Sequence, residues 1–106
     1  GTEGLTVPRP PDRTEWSYQS YVVVLDDYLD RDRVIRDMVE ERIGTTIGTY
    51  ACHQHPAYSR WGYVDGDLPN SARFAGQALT LPLVPGMTLE QVERVVETLR
   101  RVLRTG

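Results

Sequence analysis

The chain has 106 residues, 40% of them hydrophobic, and a net charge of −3 at pH 7. That length supports one domain around one core, removing roughly 60 to 70 per cent of the unfolded surface from water. The acidic balance excludes a general nucleic-acid face, which needs concentrated basic charge, and with no run of about 18 apolar residues the sequence predicts no membrane-spanning helix.

Residues 1–16 carry Pro8, Pro10 and Pro11 with little apolar periodicity, which predicts an extended arm or linker ahead of a folded domain at 17–106. This polar start lacks the basic-then-apolar order of a signal peptide. Opening at Gly1 without methionine, it predicts a piece of something longer. From about Tyr18 to Asp26 the residues are β-branched and aromatic, apolar on both faces after Tyr21, as in a central, covered strand. Asp30 or Asp32 then caps a helix running to about Arg42, with Val34, Ile35, Met38 and Val39 at helical spacing and Gly44 placed as a left-handed stop. The segment TTIGTY, 45–50, has strand propensity, and its glycine marks a bulge or a close backbone approach.

Between Ala51 and Leu68 no period is visible, only aromatics and turn formers, the pattern of an ordered binding loop. Asn70 or Ser71 caps a short helix carrying Phe74, Ala75 and Ala78, and ALTLPL is a strand that Pro82 confines to an end or an edge. Thr88 and Gln91 form a capping box for the last helix, whose apolar stripe is Val92, Val95, Val96, Leu99, Val102 and Leu103. The order predicts an α+β fold, a small mixed or antiparallel sheet covered by helices.

Chemistry concentrates in GTYACHQHPAYSRWGY, residues 48–63, which holds Cys52 and both histidines, His53 and His55. In an extended segment the two rings project to one side, which suits two metal ligands but not three, so a zinc site would need carboxylates from elsewhere in the chain. A Cys52–His53 nucleophile pair fares worse, because neighbours in an extended chain point apart and no group orients the base. Two readings stay open on the residues alone. Cys52 is a small core residue and the histidines bond loop backbone, or the segment is one wall of a pocket whose ligand is held mainly by another domain. A lone cysteine makes no internal disulfide, as expected in a reducing cytoplasm. All twelve basic side chains are arginine, so the chain offers no side-chain amine for a Schiff base.

The stretches LTVPRPPDRTEWSYQSYVVVLDD, DRDRVIRDMVEERIGTTIGTYACHQHPAY and LPNSARFAGQALTLPLVPGMTLEQVERVVETLRRVL, in this order and spacing, closely resemble the C-terminal end of the DegT/DnrJ/StrS family of sugar aminotransferases. The resemblance covers nearly the whole chain. It implies the C-terminal small domain of an enzyme similar in fold to aspartate aminotransferase, whose N-terminal large domain binds pyridoxal phosphate on a lysine. It implies amino transfer to a nucleotide-linked keto sugar in a homodimer, with this domain closing one side of the active site.

Without lysine the chain alone is expected to be inactive and to carry no cofactor. His53 falls on the histidine of the family's GTYALHLQPAY-type segment and Tyr50 on its tyrosine, which implies substrate contacts. Gln19 and Arg60 are further candidates for sugar or phosphate oxygens, since a guanidinium binds two oxygens at once. Cys52 replaces the usual leucine, and Gln54-His55 stands where leucine-glutamine is common, so His55 inherits no role. No metal, nucleic acid or membrane partner is implied. The competing expectation is a stand-alone α+β module that binds a ligand or dimerises without catalysis. A piece of a larger enzyme differs from it in exposing an apolar patch.

Overall fold

Residues 1–105 are described by a computed structural model. Four strands, β1 (Leu5–Thr6), β2 (Tyr21–Leu25), β3 (Thr46–Ile47) and β4 (Ala78–Leu81), form one sheet in the order β1-β2-β4-β3, antiparallel throughout. Three helices accompany it: α1 (Arg31–Glu40), α2 (Pro69–Gln77) and α3 (Leu89–Arg104). Among the described residues no helix is long and apolar enough to cross a membrane.

Register decides which apolar residues enter the core. Val23 lies opposite Leu79 and Leu25 opposite Leu5, so these side chains share one sheet face. Onto that face pack Val34 and Met38 of α1 and Leu99, Val102 and Leu103 of α3, with Leu29 and Ile43 closing the edges. Each fully buried Leu, Val or Met contributes about 1.5–3 kcal/mol relative to exposure. The other face presents Val22, Val24 and Ala78 to an open cleft, so β2 is buried on one face rather than covered on both.

Several boundaries differ from the sequence expectation, each for a local reason. β2 starts at Tyr21 because Tyr18 sits at φ +44°, outside the extended region. Residues 1–16 contribute the edge strand β1, with the Asp26 N–H donating to the Gly4 carbonyl at 2.8 Å. β4 is an inner strand that ends at Leu81 before Pro82, so the proline marks its end and not an edge. Asp30 caps α1, accepting from the Arg33 N–H at 3.1 Å. α1 stops through Arg42, at φ +62°, not through Gly44. The Arg42 and Ile43 N–H groups donate to the Val39 and Met38 carbonyls at 2.8 and 2.9 Å, a Schellman closure that buries Ile43 beside Met38. Val39 faces outward and is exposed.

Pro69 occupies the first position of α2, where its fixed φ and missing N–H suit a helix start, so Asn70 and Ser71 lie inside the first turn. The Thr88–Gln91 capping box of α3 is present, with reciprocal bonds of 3.1 and 2.9 Å. Of its stripe, Leu99, Val102 and Leu103 are buried, Val95 and Val96 half-buried and Val92 exposed. One polar side chain ties the layers together: the Gln77 amide nitrogen contacts the Asp26 and Leu29 carbonyls at 2.8 and 3.2 Å, holding the loop between β2 and α1 against α2.

Candidate functional site

Two open clefts lie away from the core. The sheet cleft, about 690 Å³, is floored by Val22, Val24, Gly48 and Ala78 and flanked by Trp16, Tyr18, Gln19 and Phe74. Gly48 is required there: a Cβ at this position would stand 2.5 Å from the Ala78 Cβ and 2.7 Å from a Val22 methyl, so the expected close approach is real. The loop cleft, about 340 Å³, is lined by Cys52, His53, Tyr58, Trp61, Tyr63 and Leu68.

The loop between β3 and α2 is built from short 3₁₀ turns rather than extended chain. Cys52–Gln54 closes through Gln54 and His55 N–H bonds to the Ala51 and Cys52 carbonyls, at 3.1 and 3.0 Å. This coiling removes the geometry that would aim both rings one way. His55 instead turns its Nδ1 onto the Ala57 N–H at 3.1 Å and caps the Pro56–Trp61 turn, which Gly62 ends at φ +72°. His53 reaches twelve residues along to Asp65, with Nε2 and Oδ1 2.7 Å apart, and its side chain is only 3% exposed. The Gln54 amide donates to the same oxygen at 3.0 Å. That bond first, and the His53 ring second, hold the Asp65 carboxyl below its ordinary value. Among the described residues no group of three histidine, cysteine or carboxylate side chains converges on a metal position.

Aromatic side chains line this loop in sequence. Tyr58 stands edge-on to His55, with centroids 6.2 Å apart, and 5.5 Å from Trp61. The Arg60 guanidinium carbon lies 4.2 Å over the Trp61 ring, a cation–π contact that holds the charge at the rim of the cleft. Such an arrangement offers flat faces for a ring and a fixed cation for an anion.

The four candidate residues do not converge on one cleft. His53 lines the loop cleft and Arg60 is anchored on its wall. Gln19 lines the sheet cleft. Tyr50, in the loop after β3, is 82% exposed and lines neither cleft. Cys52 is exposed on the loop cleft, and Ala51 is the buried neighbour, so the cysteine is not a core residue. Sequence reasoning missed Asp65, which looks like an ordinary turn former in VDGD, and gave no separate weight to Trp61, although its pairing with Arg60 was visible as adjacent letters.

The sequence profile of the DegT/DnrJ/EryC1/StrS aminotransferase family matches residues 1–100. The chain belongs to this family. Its likeness to the spore coat polysaccharide biosynthesis protein SpsC of Bacillus subtilis (strain 168) is 30% identity over 106 residues, covering 95% of this chain and 27% of that protein. The dTDP-3-amino-3,4,6-trideoxy-alpha-D-glucose transaminase of Micromonospora megalomicea subsp. nigra is 28% identical, over 96% of this chain and 27% of its own.

Among solved structures the aminotransferase TlmJ from Streptoalloteichus hindustanus matches with a TM-score of 0.81 and 30% identity, over 98% of this chain and 27% of that one. The antiparallel four-stranded sheet with its helices is therefore a piece of this aminotransferase fold. This DegT/DnrJ/EryC1/StrS chain spans 27% of the length of each of these relatives. With twelve arginines and no lysine, it offers no side-chain amine to bond the aldehyde of pyridoxal phosphate.

Proposed function

We propose that this chain is the C-terminal small domain of a pyridoxal-phosphate-dependent aminotransferase that passes an amino group to a nucleotide-linked keto sugar. In this reading the chain closes one side of the active site in a cytoplasmic homodimer. The observation that carries it is the family match over residues 1–100 of a chain spanning 27% of its relatives' length. The printed activity of the Micromonospora relative, a transaminase named for a dTDP-linked amino sugar, supports the substrate class.

Surface composition supports the same reading over a self-sufficient module. A groove of about 360 Å³ bordered by Tyr21, Leu81, Leu83, Met87 and Val92 is apolar, and Leu83, Val84, Leu89 and Val92 are exposed around it. Exposed apolar area of this kind is what a domain shows when its partner surface is removed.

The cofactor supplies the electron sink for amino transfer when bound by the partner domain. This chain's residues bind and orient the other substrate. His53 and Tyr50 contact the sugar nucleotide, Arg60 takes a phosphate oxygen pair from the rim of the loop cleft, and Gln19 hydrogen-bonds sugar oxygens. The test is kinetic. In the protein made from the full reading frame, His53→Ala is expected to raise the sugar-nucleotide KM about tenfold with cofactor absorbance unchanged. Unaltered kinetics removes His53 from the site, and turnover by the 106-residue chain alone removes the reading itself.

A further inference from the structure

Resting on the reading of His53 as a substrate-side contact, we propose that Asp65 is its positioning residue. The Asp65 carboxylate, steadied by the Gln54 amide, fixes the neutral His53 ring with its proton on Nε2 and leaves Nδ1 as the acceptor for an O–H or N–H group of the ligand. Nothing in the family likeness points to Asp65; the contact of 2.7 Å across twelve residues does.

An ionised carboxylate only accepts, so the ring nitrogen facing it must donate. A neutral imidazole carries one N–H, and placing it on Nε2 leaves a lone pair on Nδ1. That Nδ1 is buried and has no partner among the described residues. A buried polar atom without a partner is rare in folded proteins and costs stability until something pairs with it. A ligand donor in the loop cleft that His53 lines does so. The ring is otherwise packed, with its side chain 3% exposed, and lines the cleft beside Tyr58, Trp61 and Tyr63, whose flat faces suit a sugar or base ring.

Asp65 is itself held independently of His53. Its turn closes on bonds from the Asp67 and Leu68 N–H groups to the Val64 and Asp65 carbonyls, at 3.0 and 3.2 Å, and the Asp67 carboxylate accepts the Val64 N–H at 2.9 Å. A pre-formed acceptor therefore orients the packed His53 ring. Solvent reaches Asp65, whose side chain is 67% exposed, while that of His53 is 3% exposed.

Two measurements decide the proposal. The chain has only two histidines, so ¹⁵N-histidine labelling gives a readable NMR spectrum at about pH 8, above the ordinary histidine range near 6.5. His55 serves as reference, and a His55→Gln variant assigns the rest. His53 is expected to show a protonated Nε2 and a bare Nδ1. Asp65→Ala should let the ring average between tautomers, and Asp65→Asn, whose amide oxygen still accepts, should restore the wild-type pattern. A proton on Nδ1 in the wild type, or no change in Asp65→Ala, overturns the proposal whatever the enzyme's substrate.

The second measurement is a double-mutant cycle in the full-length enzyme, which also stands if the isolated chain does not fold. Asp65→Ala is expected to raise the sugar-nucleotide KM about tenfold, with no further loss when added to His53→Ala. Additive losses give Asp65 a separate role and overturn the positioning. A correct tautomer beside a kinetically silent His53→Ala would leave the positioning standing and remove the sugar-binding reading.

Discussion

Arg31 and Ala78 are joined by a hydrogen bond inside the protein: the guanidinium Nη1 donates to the Ala78 carbonyl at 3.1 Å and to the Ala75 carbonyl at 2.7 Å. Arg31 is the first residue of α1, where a cation opposes the helix dipole, yet its head reaches the C-terminal end of α2, where carbonyls and dipole both favour positive charge. The second effect wins because the charge sits at that end, with Asp32 at 2.9 Å from Nε completing its partners.

Replacing Arg31 by methionine should therefore lower unfolding free energy by about 3 kcal/mol, through the loss of two bonds to a charged donor and the unpaired Ala75 carbonyl. Asp32→Ala, on a pair whose carboxylate side is 66% exposed, should cost about 0–1 kcal/mol. Urea denaturation of both variants checks this. Equal losses would show that the ion pair, and not the two carbonyls, carries the contact.

Gly48→Ala should destabilise by about 1–3 kcal/mol, because its Cβ collides with Ala78 of β4 and Val22 of β2 and neither side chain has a flexible end to withdraw. Gly44→Ala meets nothing within 4 Å. It should be neutral or stabilising by about 0.5 kcal/mol, through a less flexible unfolded chain. Parallel thermal melts separate the two, and a harmless Gly48→Ala would mean the strands part more easily than this register allows.

Arg42→Gly is expected to stabilise by about 0.5–1 kcal/mol. The left-handed backbone at φ +62° strains any residue with a Cβ, and the Schellman bonds around it use backbone only. A loss of stability on this change would assign the exposed Arg42 side chain a contact of its own.

Acid should weaken the fold in a defined window. Glu41 is held below its ordinary 4.5 by the Arg101 hydrogen bond and charge, Asp30 below 3.8 by the Arg33 backbone N–H, and Asp65 below 3.8 by Gln54 and His53. Because each folded value lies under the unfolded one, the stability these groups contribute is complete above about pH 4.5 and is lost as pH falls through 3.8 and below. The urea midpoint should follow that course. Glu41→Gln should flatten its upper part, and about 0.5 M salt should shrink the Glu41–Arg101 share. A midpoint constant down to pH 3 would contradict the pairing.

Periodicity and capping were readable directly. The α3 stripe, its Thr88–Gln91 box, an aspartate cap for α1 at Asp30 or Asp32 and the valine run of β2 are local patterns, set by bonds within a few residues. The special role of the glycine in TTIGTY was also legible, though not the neighbours that demand it. Chain punctuation misled where tertiary burial outweighed propensity. Gly44 is the better left-handed residue, but burying Ile43 beside Met38 fixes the turn two residues earlier and leaves Arg42 in the strained place.

The candidate site divides along the same line. Sequence by itself determined that this stretch carries the histidines, the aromatics and the arginine of a DegT/DnrJ/EryC1/StrS chain, and that no lysine is present for the cofactor. Only the tertiary structure decided which polar atoms meet. It coiled Cys52–Gln54 into a 3₁₀ turn, separated His53 from His55, sent Gln19 to another cleft, and brought Asp65 across twelve residues onto His53. The physical reason is that a hydrogen bond between side chains far apart in sequence depends on how the intervening loop closes, which residue type and spacing do not encode.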